Sequence, residues 1–433
     1  MQLKFDESGL LKHGMIMFVS LIIARFFGYL FQIYVARSLG PEEYGVFGSL
    51  FAFFMILTIP VGTVQTVISR YTSEYKVEGE YSKIKCLMIS AFKKLSKVGL
   101  IGFVLMTIMS IPFAMFLKMS NPIPIIILGI TLFFTFTSPI FRGALQGLQN
   151  FKWLSIINVS ETVFKLLFGI LLISLGFGLN GAILAFSFGY LIPLFIVLIP
   201  LYYLFRIDNR NERVNFSGIY SYAYLVMMAT GTLIFMQNID VILVKHLFTS
   251  YEAGIYTAIS NIGKIIFFLG AGLSTSLFPK VSEFRNDSEI SLRLLKKGIL
   301  SLSILSIVFI LGCFLFDELI VNVLFGYNYI EGAFLLPYFS IALSFLGLTS
   351  VLIFYLIAKE DFKFIYALLI VPILQVICIY IFHQSLIGLV LILNLFFVMA
   401  FVVTSFFVVN NFKNKCMWYN GTRTNTKILG KFK

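Results

Sequence analysis

The sequence predicts an all-α integral membrane protein: twelve transmembrane helices in two parallel six-helix lobes, with both termini cytoplasmic. Three observations predict it. The 433 residues are 59% hydrophobic and 12% charged, with a mean hydropathy of +0.95, whereas a soluble domain is about 25% charged. The basic residues fall almost entirely on one side of the membrane. The two halves of the chain also carry a faint internal repeat.

Each crossing needs roughly 20 apolar residues. Apolar stretches between polar breaks place the spans at 12–37, 44–70, 84–117, 122–144, 152–177, 181–205, 217–245, 252–279, 292–316, 331–358, 362–383 and 386–410. Many exceed the bilayer minimum, so tilt or protruding ends are expected. The start, MQLKFDESGLLKHG, is too acidic for a signal peptide, and the apolar stretch behind it is too long for one. It is expected to stay as a membrane helix.

With the N-terminus inside, 27 of the 33 Lys and Arg fall on cytoplasmic segments, three on outer segments (Arg37, Lys118, Lys245) and three within spans (Arg25, Lys165, Lys264). This positive-inside bias places both ends in the cytoplasm and makes the span count even. The net charge of +13 is thus an orientation device that also attracts anionic membrane lipid. No nucleic-acid partner is expected. Cys86, Cys313, Cys378 and Cys416 show no paired spacing, and His13, His246 and His383 are isolated. No disulfide frame, zinc site or other cofactor is expected. The longest outer loop, FDELIVNVLFGYNYIE around 316–331, is too short for a domain.

The repeat is read from two polar turns set between apolar runs, YVARSLGPEEYGVFG (34–48) and VILVKHLFTSYEAGIYTA (241–258), whose Gly45 and Gly254 are 209 positions apart. The same shift lays SRYTSEY (69–75) on FPKVSEF (278–284). QNFKW (149–153) resembles EDFKF (360–364) at a shift of 211, and LNGA (179–182) resembles LIGL (386–389) at 207. Each turn reads as the outer hinge between the first two helices of a lobe. Pro41 starts the second helix, where its missing N–H costs nothing, and Glu42 and Glu43 suit a helix N-terminus. The lobes are 1–208 and 209–411, joined through the polar linker FRIDNRNERVN (205–215), and 412–433 is a basic cytoplasmic tail. Six helices per lobe give both the same orientation, with an axis along the membrane normal. That is a transporter plan; the alternative is a duplicated scaffold with no cavity.

The stretch ARFFGYLFQIYVARSLGPEEYGVFGSL (24–50) carries an Arg in the first helix, then Ala36-Arg37-Ser38-Leu39-Gly40 and Tyr44-Gly45. With the six-plus-six plan it resembles the polysaccharide transporter family, the Wzx-type oligosaccharide flippases. These belong to the multidrug/oligosaccharidyl-lipid/polysaccharide (MOP) exporter superfamily, with the lipid II flippase MurJ and the MATE drug exporters. The match is good over the first two helices and architectural elsewhere. The resemblance implies a MOP/MATE-like fold in the cytoplasmic membrane. It also implies alternating access, with a polyprenyl-diphosphate oligosaccharide moving from the inner to the outer leaflet. Glycan-assembly enzymes are the implied partners.

Ionisable groups inside spans are expensive and face a cavity or a partner. Arg25, Lys165 and Lys264 lie at similar depth, where they suit an anionic diphosphate: Arg as a bidentate donor, Lys as a point charge. The alternative for Arg25 is structural pairing. For Lys165 it is a local ion pair, since Glu161 lies four residues earlier on the same face. Asn261 is one turn from Lys264 and reads as a sugar or lysine partner. In MQNIDVILVKH (236–246), Gln237, Asn238 and Asp240 form a polar cluster for sugar hydroxyls or for a coupling Na+ or H+. An outer-end ion pair of Asp240 with Lys245 or Arg37 is the alternative there. Glu161 is a second coupling candidate. Pro60 and Gly62, and Gly270 and Gly272, fall at nearly matching repeat positions and read as hinges or as close packing.

Two other functions fit parts of the pattern. MATE-type cation-coupled drug or metabolite export needs an essential carboxylate, which Glu161 or Asp240 could supply. An integral membrane glycan polymerase or glycosyltransferase needs a large outer loop or acidic catalytic residues at a membrane face. The outer loops are short and no paired-carboxylate motif is present.

Overall fold

The computed structural model describes residues 7–207, 220–284 and 287–429. The boundary between 208 and 209 and most of the 205–215 linker lie outside the described residues, as do the side chains of the 412–433 tail. The described residues contain no strand. The α-helices are α1 Glu7–Leu57, α2 Ile59–Val77, α3 Tyr81–Ile108, α4 Ser110–Phe116, α5 Ile123–Gly147, α6 Phe151–Leu172, α7 Gly178–Ile196, α8 Leu198–Phe205, α9 Tyr220–Leu247, α10 Ser250–Glu283, α11 Ser288–Leu315, α12 Asp317–Leu324, α13 Leu336–Ala358, α14 Phe364–Ile381 and α15 Leu386–Leu429.

Among the described residues, nine helical segments are long and apolar enough to cross a membrane, ten with the bent α3–α4 pair. Two of the nine cross twice. Ile16–Val77 is 62 residues long and folds at Gly40, whose φ of 74° and ψ of 174° suit glycine alone. Pro41 follows it and opens the returning arm, as the sequence predicts. Phe151–Ile196, 46 residues, folds at Gly176 (φ 87°) and Gly178 (φ 49°), next to a π-helical turn at Ile173–Phe177. The segments therefore make twelve crossings.

The repeat is visible in the elements themselves. A shift of 209 carries α4 onto 319–325, over α12, and α5 onto 332–356, over α13. α5 and α13 are also deeply buried, with 67% and 78% of their apolar windows covered. A helix apolar on all sides belongs in such a central position. The span expected at 84–117 is present as a bent pair: the chain turns by 59° between α3 and α4. The loop at 316–331 is likewise structured, as α12 and a 3-10 segment Tyr327–Leu335.

Contacts divide the chain into two compact units. The first is Met1–Met227 with Val244–Gly254, the second Met228–Leu243 with Ile255–Lys433. Within the first unit, small residues let helices approach: a Cβ on Gly143 of α5 would stand 2.7 Å from the Gln65 carbonyl oxygen. Several lysines counted as topology signals also tie down helix ends. Lys76 donates to Leu148 O at 2.8 Å, Lys85 to Phe205 O at 3.0 Å and Ile207 O at 2.7 Å, and Lys245 to Leu117 O at 2.6 Å. These are carbonyls at or just past a helix C-terminus, which the helix itself leaves unpaired.

Candidate functional site

Two charged clusters lie inside the membrane-spanning helices, one in each unit. In the first unit α6 presents Glu161 and Lys165, one turn apart. Lys165 Nζ donates to Glu161 Oε1 at 3.5 Å, and Arg142 of α5 holds Glu161 Oε2 in a short ion pair. Arg142 also donates to Asn158 Oδ1 at 3.3 Å. The Lys165 ammonium sits over the rings of Phe186 and Tyr190, at 4.6 and 5.3 Å from their centroids. Lys165 is buried, whereas Arg25 on α1 is exposed. The Glu161 carboxylate lies within electrostatic reach of Arg25, and Gly28, one turn further on, lies against Thr162. Three cations thus share one carboxylate, and the cluster keeps a positive surplus. The Nε of Arg142 is buried and makes no hydrogen bond.

The helix contacts explain how this arrangement forms. A Cβ on Gly189 of α7 would stand 3.0 Å from Glu161 O and 3.1 Å from the Lys165 Cβ. α7 therefore lies directly on the charged turn of α6, brings Tyr190 over the ammonium and shuts out larger side chains.

In the second unit α9 supplies Gln237, Asn238 and Asp240, all buried. The Tyr256 hydroxyl of α10 donates to Asp240 Oδ2 at 2.8 Å. Lys264 Nζ donates to Asn238 Oδ1 at 3.3 Å, and its charge faces Asp240. Gln375 of α14 donates to Met236 O at 3.2 Å, one turn before Asp240. Two buried acceptors, Asp240 Oδ1 and Gln375 Oε1, have no hydrogen-bond partner, nor has the buried donor Gln237 Nε2. Buried polar atoms are rarely left so.

The structure thus joins Arg25, Glu161 and Lys165 in one cluster, and Gln237, Asn238, Asp240 and Lys264 in another. Asn261 is half-buried on α10, one turn before Lys264. The outer-end pair of Asp240 with Lys245 does not form, because Lys245 bonds to Leu117 O. Of the hinge residues, Pro60 follows a break in the helix at Thr58, and Gly62 faces open space. α10 runs unbroken through Gly270 and Gly272, and Gly270 is packed on Gly347. The sequence reading missed Arg142, Tyr190, Tyr256 and Gln375. Arg142 is one of the 27 cations that the charge count places on the cytoplasmic side, at the end of the 122–144 span. The signal of its packing was Gly143 and Gly147, spaced i, i+4 beside it as on a packed helix.

The fold is that of the MOP transporters. A MATE family multidrug resistance transporter in an inward-facing conformation matches with a TM-score of 0.75 at 14% identity, covering 92% of this chain and 99% of its own. The lipid II flippase MurJ, in an inward closed conformation, matches with a TM-score of 0.71 at 15% identity, over 92% of this chain and 89% of its own. By sequence, an uncharacterised membrane protein of Methanocaldococcus jannaschii is 27% identical over 327 residues, 72% of this chain and 75% of its own. Residues 10–285 match the profile of the polysaccharide biosynthesis protein family. The chain belongs to that family and is a multi-pass membrane protein with the fold of the MOP transporters.

Proposed function

We propose that this protein moves a polyprenyl-diphosphate oligosaccharide across the cytoplasmic membrane by alternating access. The observation that carries the reading is the positive surplus of the Arg25–Arg142–Glu161–Lys165 cluster. A diphosphate diester brings two negative charges to a place with more cations than carboxylates. A cationic drug would meet the wrong sign there. Arg25 and Arg142 are the phosphate donors, and Lys165 contributes a point charge steadied by Glu161 and two rings. Family membership supports a glycan substrate, and the lipid II flippase shares the fold.

Gln237, Asn238 and Asn261 offer amides for sugar hydroxyls, with Lys264 as a further cation. Asp240 is the coupling carboxylate, taking H+ or Na+ on the oxygen that lacks a partner. Glu161 has both oxygens engaged, which favours Asp240 over it for that role. Glycan-assembly enzymes on either side of the membrane supply and consume the cargo.

The test is a proteoliposome assay with two cargoes: a fluorescent polyprenyl-diphosphate oligosaccharide and a cationic dye. Protein-dependent flipping of the lipid without dye export is expected. Dye export without flipping would replace this reading by the MATE-type one.

A further inference from the structure

We propose that Lys93, Lys94 and Lys97 form a binding site for the phosphate of an anionic glycerophospholipid of the inner leaflet, on the lipid-facing side of α3. All three residues are exposed. Their i, i+1, i+4 spacing puts them on one side of the helix. That side does not lead to water. Further along α3 it carries Val98, Ile101, Val104, Leu105 and Ile108, between 45% and 60% exposed. Large apolar side chains left this open along a transmembrane helix face hydrocarbon. The opposite side, with Ala91, Gly99 and Met106, is buried, and Gly99 and Met106 lie against α5.

The partner helix gives the depth. α5 enters at Ile123, and about 20 residues of helix cross the hydrocarbon, so its inner edge lies near Gly143. The Phe92 and Phe141 rings are 6.0 Å apart, and a Cβ on Gly99 would stand 3.0 Å from the Phe133 Cα. The two helices are antiparallel, so the three lysines enter the helix surface about 4–10 Å inside that edge, at about 1.5 Å per residue. Ammonium groups do not stay at that depth. Their four-carbon stems reach back to the headgroup layer, where the charges converge.

This is not the ordinary basic marking of a cytoplasmic loop. The 209-residue shift puts Leu302, Ser303 and Ser306 at the matching places of α11, whose own cations, Arg293, Lys296 and Lys297, sit nearer its inner end. A zwitterionic headgroup would bring an ammonium of its own against three others. A lipid with net negative charge complements the three positive charges, and so is the occupant. The site is separate from the Arg142–Glu161 cluster and does not depend on its function.

A benzophenone side chain at Val98, in the full-length protein in nanodiscs, reports which lipid lies there. With equal fractions of phosphatidylglycerol and phosphatidylcholine, cross-linking to phosphatidylglycerol is expected to be at least about tenfold stronger, given roughly fivefold per lysine near the surface. Lys93→Gln, Lys94→Gln and Lys97→Gln together should bring the two lipids close to parity. The same three changes to Arg should keep the preference, as should Lys296→Gln with Lys297→Gln. Equal cross-linking in the otherwise unchanged protein overturns the site, even if the glutamine variant fails to fold. So does a preference that survives the three glutamines. Preferred capture of an added polyprenyl diphosphate over phosphatidylglycerol would make the stripe a cargo portal and overturn the phospholipid assignment.

Discussion

Gly45 and Gly254, related by the 209-residue shift, meet backbone to backbone. A Cβ on Gly45 would stand 2.7 Å from the Gly254 amide nitrogen, and one on Gly254 would collide with the Pro41 carbonyl. Both belong to the first unit, which takes in the α9–α10 tip. The tip is also fastened by residues that precede Gly254. Lys245 donates to Leu117 O at 2.6 Å, and His246 shares a hydrogen bond of 2.7 Å with Phe116 O while stacking on the Phe116 ring. Thr249 and Glu252 close the turn as a capping box, with Thr249 N to Glu252 Oε2 at 3.0 Å and Glu252 N to Thr249 Oγ1 at 3.2 Å. The polar hinge therefore serves two purposes: it turns the chain at Gly40, and its glycine admits the backbone of its repeat partner.

Gly254→Ala should lift the α9–α10 tip, because the atom in its way is backbone and cannot move to another rotamer. A cost of about 1–3 kcal/mol is expected. A lower Tm and a several-fold faster maleimide reaction of a cysteine at Ser250 would show it. Gly62→Ala, facing open space, is the control and should leave both unchanged. An unaltered reaction rate in Gly254→Ala would mean that the tip is not held there.

Asp240→Asn removes the charge that faces Lys264 and leaves an ammonium buried without its carboxylate. Breaking such a pair costs about 3–5 kcal/mol, while replacing both partners is far milder. Asp240→Asn should therefore lose stability that Asp240→Asn with Lys264→Met regains. Flipping by the single variant, in detergent-stable preparations, should no longer depend on pH or Na+. Full rate with unchanged dependence on both would remove the coupling role.

The crossings, the turns and the repeat were legible because they are written in composition and spacing. An apolar run of given length has one use in a bilayer, and Gly-Pro between two runs has few. The internal cations Arg25, Lys165 and Lys264 were legible for the same reason. Their partners were not. Arg142 lies 19 residues after Ile123, at the edge of a minimal span, where a count of residues cannot tell a loop cation from a buried one. Tyr256 reaches Asp240 from the next helix, and Gln375 reaches Met236 O from a helix 139 residues on, through contacts that no local pattern encodes. The bend after α3 was hidden as well, since 84–117 is apolar throughout its outer half.

Arg142→Gln should weaken cargo binding more than it weakens the fold. It removes the charge-assisted contact to phosphate proposed for it, worth roughly 1.5–3 kcal/mol, while Lys165 still faces Glu161. A loss of one to two decades in flipping is expected. Glu161→Gln acts oppositely on charge: it frees Arg142 and Lys165 together, so stability should fall while affinity for a diphosphate lipid rises. Weaker diphosphate binding by folded Glu161→Gln would show that the carboxylate positions the cations rather than competing with the cargo.

Orientation is open to a direct check. In a chain stripped of native cysteines, single cysteines at Ser250 and Gln384 should react with an impermeant maleimide from outside, and one at Ser82 should not. A cysteine at Asn211, outside the described residues, should also be protected. Its labelling in intact cells would contradict the twelve-span order.

Arg25 separates a cargo contact from a structural one. Its neighbours Leu21, Ile22 and Phe26 are 45%, 54% and 59% exposed, so the arginine stands on an open, apolar surface of α1. A guanidinium left in lipid there would cost about 2.5–3.5 kcal/mol on insertion scales. The carboxylate within its electrostatic reach, Glu161, is already bound by Arg142 and Lys165. Removing Arg25 therefore leaves Glu161 still paired, and the fold should survive. Losing the proposed contact to phosphate should lower affinity by about one to two decades, from roughly 1.5–3 kcal/mol. Arg25→Lys keeps the charge but loses the two-pronged geometry. Flipping should therefore fall in the order wild type, Arg25→Lys, Arg25→Ala, with near-normal amounts of all three in the membrane. A proteoliposome assay with a fluorescent diphosphate-linked lipid decides it. Full activity of Arg25→Ala would exclude the phosphate role, and loss of the folded protein would assign the residue to structural pairing instead.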